Sequence, residues 1–458
     1  MSSRTFVRAL NRGLIIVATT ALCAAFFSTS WAGNFRFGSV GGVVIKVDGV
    51  VQNATAEQIA SLAKMRRAEL KTPGPEINKA VPIRKISLKA LEAACAQYLR
   101  EGGRMPDEIR YLGGLQRIQY VLVYPESHDV VLAGPAEGWT VNDHGDIVGV
   151  TTGRPVLHLD DLLVALRSVD AARHGGISCS IDPTDEGYRN LTALLARQRQ
   201  SGQRVNPAVL EPAMKQAFGP QQVKLGGVPA NSHLARILVA ADYRMKRLAM
   251  NLDPAPIAKF PSYVDLIKNA GTKSANVNPR WWLACNYQPL AKSPDGLVWQ
   301  LRGQGVKCLT EDEIVTQQGA VKGTGRTSPA AEKWANLMTE KFDELAAKET
   351  IFAQLRNVMD LCVVAALIDQ HDLCSQAGCT LPLLTSQDSD LLSFDWYPPK
   401  QLPPQCSFLK TRRGWVVTAS GGVQINAFQV VSNVAEDNAI RALHDQAANS
   451  STPSWWWN

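Results

Sequence analysis

Apolar side chains recur at Ile351, Phe352, Leu355, Val358, Met359, Cys362, Val363, Ala366 and Leu367. The spacing is helical, and over 361–368 the helix is apolar on nearly every side. Such a helix has no face to give to water. The run over 361–368 is also far shorter than the about 20 residues that cross a bilayer. The rest of the chain must therefore enclose it, and the fold has to supply packed layers around it.

The flanking sequence offers both kinds of layer. Short β-branched or glycine-punctuated stretches at 40–51, 118–124, 130–133, 146–150, 177–181, 223–228, 280–287, 297–301, 415–420 and 423–428 predict strands. Asp48-Gly49 makes the first stretch a hairpin, and Pro294-Asp295-Gly296 is expected to join 280–287 to 297–301. Amphipathic spacing predicts helices over 54–70, 87–99, 160–166 and 207–218, after Pro183, after Ser232 and from Pro329 onward. The expected fold is α+β, with mixed or antiparallel sheets carrying helices, built as two lobes around the buried helix near 351–368.

The lobes are expected at 33–270 and 271–440, followed by a polar, unstructured tail over 441–458 that ends in Trp455-Trp456-Trp457. Residues 316–328 read as a mobile loop. The run Ser420-Gly421-Gly422-Val423-Gln424-Ile425 echoes Ser39-Val40-Gly41-Gly42-Val43-Val44-Ile45, so the two could lie side by side in one sheet, or the likeness could be chance. The strand-then-helix order around Pro183 and around Pro229 also fits either a repeated unit or a common local pattern.

The first 32 residues read as an export signal. Arg4, Arg8 and Arg12 precede an apolar stretch over 14–27, and Ser30-Trp31-Ala32 supplies the small residues of a cleavage site. The expected location is periplasmic or secreted. Cleavage removes three arginines from a formal net charge of +7. The remaining excess suits an anionic envelope polymer or another envelope protein better than nucleic acid, and no membrane span is expected after the signal. Without Cys23 the cysteines are Cys95, Cys179, Cys285, Cys308, Cys362, Cys374, Cys379 and Cys406, an even set that permits disulfides. Cys374 with Cys379, and Cys285 with Cys308, are pairs that could close, while Cys362 reads as a small buried side chain.

Candidate chemistry gathers in turns. His144 and Asp146, with His158 and Asp160 close behind, could hold a divalent metal if the chain brought them together. Polar turn residues and an acidic helix start explain the same pattern. Asp143 and Asp161 belong to these two clusters. Ser178, Cys179, Ser180 and Asp182 sit at a strand end where a nucleophile would need a base, and His174 and His233 are available. No nucleophile frame surrounds them, and Thr184, Asp185 and Glu186 read as a capped helix start. Arg236, Arg244, Lys246 and Arg247 read as a solvated basic face, with Asp242–Lys246 as a surface pair of a few tenths of a kcal/mol. Arg280-Trp281-Trp282 can expose at most one Trp, because adjacent strand residues point to opposite sides. The glycines form no phosphate-binding fingerprint, so no cofactor is expected.

Several phrases carry a resemblance. They are Leu115-Gln116-Arg117-Ile118 with Val121-Leu122-Val123-Tyr124-Pro125-Glu126, Leu132-Ala133-Gly134-Pro135-Ala136-Glu137-Gly138-Trp139, and Gly149-Val150-Thr151-Thr152-Gly153-Arg154-Pro155-Val156-Leu157. Further on stand Gly176-Ile177-Ser178-Cys179-Ser180-Ile181-Asp182-Pro183-Thr184, Ala241-Asp242-Tyr243-Arg244-Met245-Lys246-Arg247, Pro279-Arg280-Trp281-Trp282-Leu283 and Gly421-Gly422-Val423-Gln424-Ile425-Asn426. Together, over roughly 40–431, the chain resembles a family of exported proteins from planctomycete-type bacteria known as a domain of unknown function. The resemblance implies export and one long family unit, and it carries no activity, cofactor or catalytic residue. The expected function is a non-catalytic envelope protein that binds or scaffolds. The alternative is a hydrolase or metal-dependent enzyme acting on an envelope polymer.

Overall fold

The computed structural model describes residues 39–201, 206–270, 277–315, 321–387, 391, 396–405, 407–411, 414–417, 420–448 and 454–458. The predicted signal over 1–32 and Cys406 lie outside them. Two seven-stranded sheets and many helices make an α+β fold, as the pattern of the sequence predicts.

The first sheet runs Val321–Gly323, Gly305–Val315, Val277–Asn286, Ser420–Ile425, Ile177–Pro183, Gln221–Gly226, Gln401–Leu402. Only the Val277–Asn286 and Ser420–Ile425 neighbours are parallel. The second runs Val434–Glu436, Leu290–Lys292, Val298–Gln300, Tyr120–Tyr124, Asp129–Ala136, Val81–Ser87, Trp456–Trp457, with only its first pair parallel. Both sheets thus draw strands from either side of residue 270. Residues 39–458 form one compact unit.

Three helices meet in the middle: α1 (Leu159–Arg167), α2 (His233–Ala249) and α3 (Thr350–Gln370). α3 packs on α1, on α2 and on the short helix Ala427–Val431. It is the enclosed helix foreseen above. It runs 21 residues, long and apolar enough to cross a membrane by length and composition, yet its most apolar window is wholly buried inside the protein. Arg117 locks it in place. The guanidinium donates to both oxygens of Asp360, at 2.8 and 3.0 Å, and the Tyr287 hydroxyl adds a third bond at 2.7 Å. Asp360 is fully buried, and these donors take the place of water around its carboxyl group. Beside this core, Trp281 packs edge-on to Trp334 and Tyr263. Trp282, on the opposite face of the strand, sits under Arg280.

Local signals explain most element ends. Thr55 and Gln58 form a reciprocal capping box for Ala56–Glu69. Ser87, Thr184 and Ser232 each accept from a backbone N–H at the start of their helix. Gly49, at a φ of 85°, turns the first hairpin, where Val43–Ile45 meets Val51–Asn53.

Several long-range expectations need correction. The 297–301 stretch does not pair with 280–287. The Pro294 turn instead joins Leu290–Lys292 to Val298–Gln300, in the other sheet. Ser420–Ile425 lies between Val277–Asn286 and Ile177–Pro183, not beside Val43–Ile45. The strand at 147–149 pairs with Trp139–Val141 in a small sheet of its own. The Trp-ending tail is structured at its end, where Trp456 pairs with Ile86 along an otherwise open strand edge. Residues 316–320 of the expected loop lie outside the described residues, and 321–323 form a strand. The seven described cysteines are free thiols. Cys285 stands opposite Val306 and Cys308 opposite Leu283, so that proposed pair is out of register.

Candidate functional site

The four residues singled out for a metal do not meet. His144 is exposed in a tight turn, its N–H bonded to Asn142 Oδ1 at 2.9 Å. Asp160 is exposed in the first turn of α1. Asp146 is buried and accepts from Thr350 Oγ1, and from Gln354 Nε2 at 3.4 Å. His158 is the residue immediately before α1.

The structure brings His158 together with Asp161 and His233, and the donor atoms of these three all lie within 4.8 Å of one another. His158 and Asp161 are three apart at a helix start, which puts them on one face. His233 opens α2 and brings its ring parallel to that of His158, with centroids 4.8 Å apart and planes 3° apart. Its Nδ1 lies 3.0 and 3.1 Å from the Asp161 oxygens.

The surroundings disfavour a charge on His158. Burial pushes His158 well below its ordinary range, and His233, Arg66 and Arg110 push the same way. Tyr111 packs edge-on to His158 at 5.3 Å, and the Arg236 guanidinium covers Trp396 next to His233. A cavity of about 10 Å³ opens among His158, Asp161, His233, Gln354 and Asn357. The i, i+3 spacing of His158 and Asp161 was the one readable sign of this cluster. Nothing local marks His233 as their partner.

The two histidines offered as bases for the strand-end candidates are engaged elsewhere. Cys179 is buried, and burial followed by the Asp242 charge drives its thiol well above the ordinary range. Ser178, Ser180 and Asp182 are half-buried along the strand. His174 is exposed, with Nδ1 against the Asp170 carbonyl at 2.8 Å, and His233 is committed to Asp161.

The basic side of α2 is not a solvated face. Lys246 and Asp242 are fully buried and paired. Arg244 bonds Glu349 and Asp253, and Arg247 grips Asp253 through two bonds of 2.6 Å. Burial pushes Asp253 up, but the two arginines outweigh it and hold the carboxyl below its ordinary value. Arg244, Arg247, Asp253 and Glu349 form one wall of an open cleft of about 400 Å³. The hairpin residues Gly41 and Asn53 face it, and His144 and Lys348 stand exposed on its lining.

A model of the family described as protein of unknown function (DUF1598) matches residues 179–263. That span holds the phrase around Tyr243, the phrase around Cys179 from Cys179 onward, and the whole of α2, which carries His233 and the cleft arginines. No curated protein and no solved structure matches the chain. The comparisons thus identify residues 179–263 as similar to a domain of unknown function.

Proposed function

We propose that this chain is an exported, non-catalytic envelope protein, of the planctomycete-type family it resembles, and that it binds a strand of anionic envelope polymer in the cleft beside Arg244 and Arg247. The cleft is the observation that carries the reading. Its wall alternates fixed donors and acceptors, with Arg244 and Arg247 set against Asp253 and Glu349. Groups held by each other in this way lose little freedom when a polar chain lies across them. Lys348 and His144 add exposed donors on the same lining, and Lys348 supplies positive charge. The leader-like start, with its three arginines and apolar 14–27 stretch, supports export. In an oxidising compartment Cys374 and Cys379, free thiols that share a hydrogen bond, are the pair expected to join.

Co-sedimentation of the purified mature protein with the polysaccharide fraction of its own cell envelope tests this reading. Wild type is expected to pellet in a salt-sensitive way, and Lys348→Glu with His144→Ala to remain largely in solution. Equal pelleting of both proteins, or none by wild type, contradicts it. Hydrolysis of a polymer at His158 is the weaker reading, because a cavity of about 10 Å³ admits no sugar ring.

A further inference from the structure

We infer that His158, Asp161, His233 and Gln354 form a binding site for one divalent first-row metal ion, of which zinc is the expected occupant. The inference is independent of where the protein works and of what its cleft binds.

Two imidazoles and one carboxylate present donor atoms within 4.8 Å of one another. In a tetrahedral site with bonds of about 2.0–2.2 Å, neighbouring ligand atoms stand roughly 3.4 Å apart. The Asp161 oxygens and His233 Nδ1, hydrogen-bonded at 3.0 and 3.1 Å, are about that close, and the ion would displace the proton between them. The His158 ring, stacked parallel to that of His233, has to turn out of the stack to aim a nitrogen at the same point.

Gln354 supplies the second, separate observation. It is 7% exposed and lines the same cavity, and its Oε1 is buried with no hydrogen-bond partner. A buried carbonyl oxygen left without a partner costs about 1–3 kcal/mol, so it calls for an occupant. Exchanging the amide oxygen and nitrogen does not relieve this. Nε2 donates to Asp146 Oδ1 at 3.4 Å, and the flipped amide would set two oxygens against each other. Asp146 is fixed in turn by Thr350. The chain from Thr350 through Asp146 to Gln354 orients a fourth donor, as outer hydrogen bonds orient metal ligands elsewhere.

Size and donor type narrow the occupant. A cavity of about 10 Å³ holds one atom-sized guest and no organic ligand. Two nitrogens with a carboxylate and an amide oxygen suit zinc and its first-row neighbours better than calcium or magnesium, which take all-oxygen sites. His158 is half-buried, which leaves a path in from solvent. With four protein donors and no room for substrate, the ion would tie α1, α2 and α3 together.

The full mature chain, stripped with chelator and then titrated with zinc chloride alone, tests the site. Expected are one equivalent of zinc retained through desalting and a higher melting temperature. Zinc affinity should fall at least about 100-fold in His158→Ala and His233→Ala, and about 10–100-fold in Gln354→Leu. His144→Ala should keep wild-type affinity. Should the histidine variants fail to fold, zinc-edge X-ray absorption of the wild type still decides, with two imidazoles per metal expected. No retained zinc, retention undiminished in Gln354→Leu, or a spectrum without imidazole scattering overturns the inference.

Discussion

Lys246 and Asp242, one helical turn apart on α2, pair at 3.0 Å with no exposure to water on either side chain. The same ammonium donates to the carbonyls of Ile181 at 2.6 Å and Gly421 at 3.2 Å. One buried charge therefore ties α2 to two adjacent strands of the first sheet. Removing the lysine strands a carboxylate in the core, so Lys246→Met should lose about 3–5 kcal/mol of unfolding free energy. Pairing it with Asp242→Leu should recover most of that loss, though not the two carbonyl bonds. Urea unfolding of wild type and the two variants measures this, and a Lys246→Met variant within about 0.5 kcal/mol of wild type would count against the pairing.

The same carboxylate gives stability a pH dependence. Burial pushes Asp242 up from 3.8 to about 6, with Lys246 pulling the other way. The folded value exceeds the unfolded one, so the folded chain holds a proton that the unfolded chain has released. The stability contributed by this group is full below 3.8 and is lost as the pH rises through about 6. The gap in unfolding free energy between wild type and Asp242→Asn should shift in favour of the variant across that window. A gap that stays constant with pH would contradict the assignment.

Gly421 marks the tightest approach in the first sheet. Its φ is +138°, and a Cβ there would fall 1.7 Å from the Trp281 carbonyl oxygen. The obstacle is backbone, which cannot swing aside. Gly421→Ala should cost at least about 3 kcal/mol and yield mostly insoluble protein on expression. Gly175, with open space around its Cβ position and no positive φ, is the control.

The last residues hold an interior charge. Arg84 is fully buried, donates to Asn458 Oδ1 at 2.8 Å and lies over the Trp456 ring. The Ser87 N–H donates to the Trp455 carbonyl at 2.9 Å. Deleting residues 454–458 should lower stability by roughly 2 kcal/mol or more and expose the edge of Val81–Ser87, with aggregation as the visible sign. An unchanged melting temperature would show that the tail is dispensable.

Local structure was legible where one residue type has one local use. The caps at Ser87, Thr184 and Ser232 and the turn at Asp48-Gly49 are of that kind, as is the all-round apolar α3. Partners distant along the chain were not legible. His158 and Asp161 share a helix start, but His233 reaches them only through the tertiary packing of α1 and α2. Arg244 and Arg247 look like a solvated face until the chain turns Asp253 back onto them and Glu349 arrives from a distant segment. The pairing of Trp456 with Ile86 closes an edge that no local pattern reveals. Pairing across hundreds of residues depends on which edges remain open, and a period in the sequence does not encode that.

Export underlies the proposed function, and the N-terminus of the protein recovered from fractionated cells tests it most directly. The account predicts an extracytoplasmic protein that begins at Gly33, after Ser30-Trp31-Ala32. A chain recovered from the cytosol with Met1 and the apolar 14–27 stretch intact would contradict it.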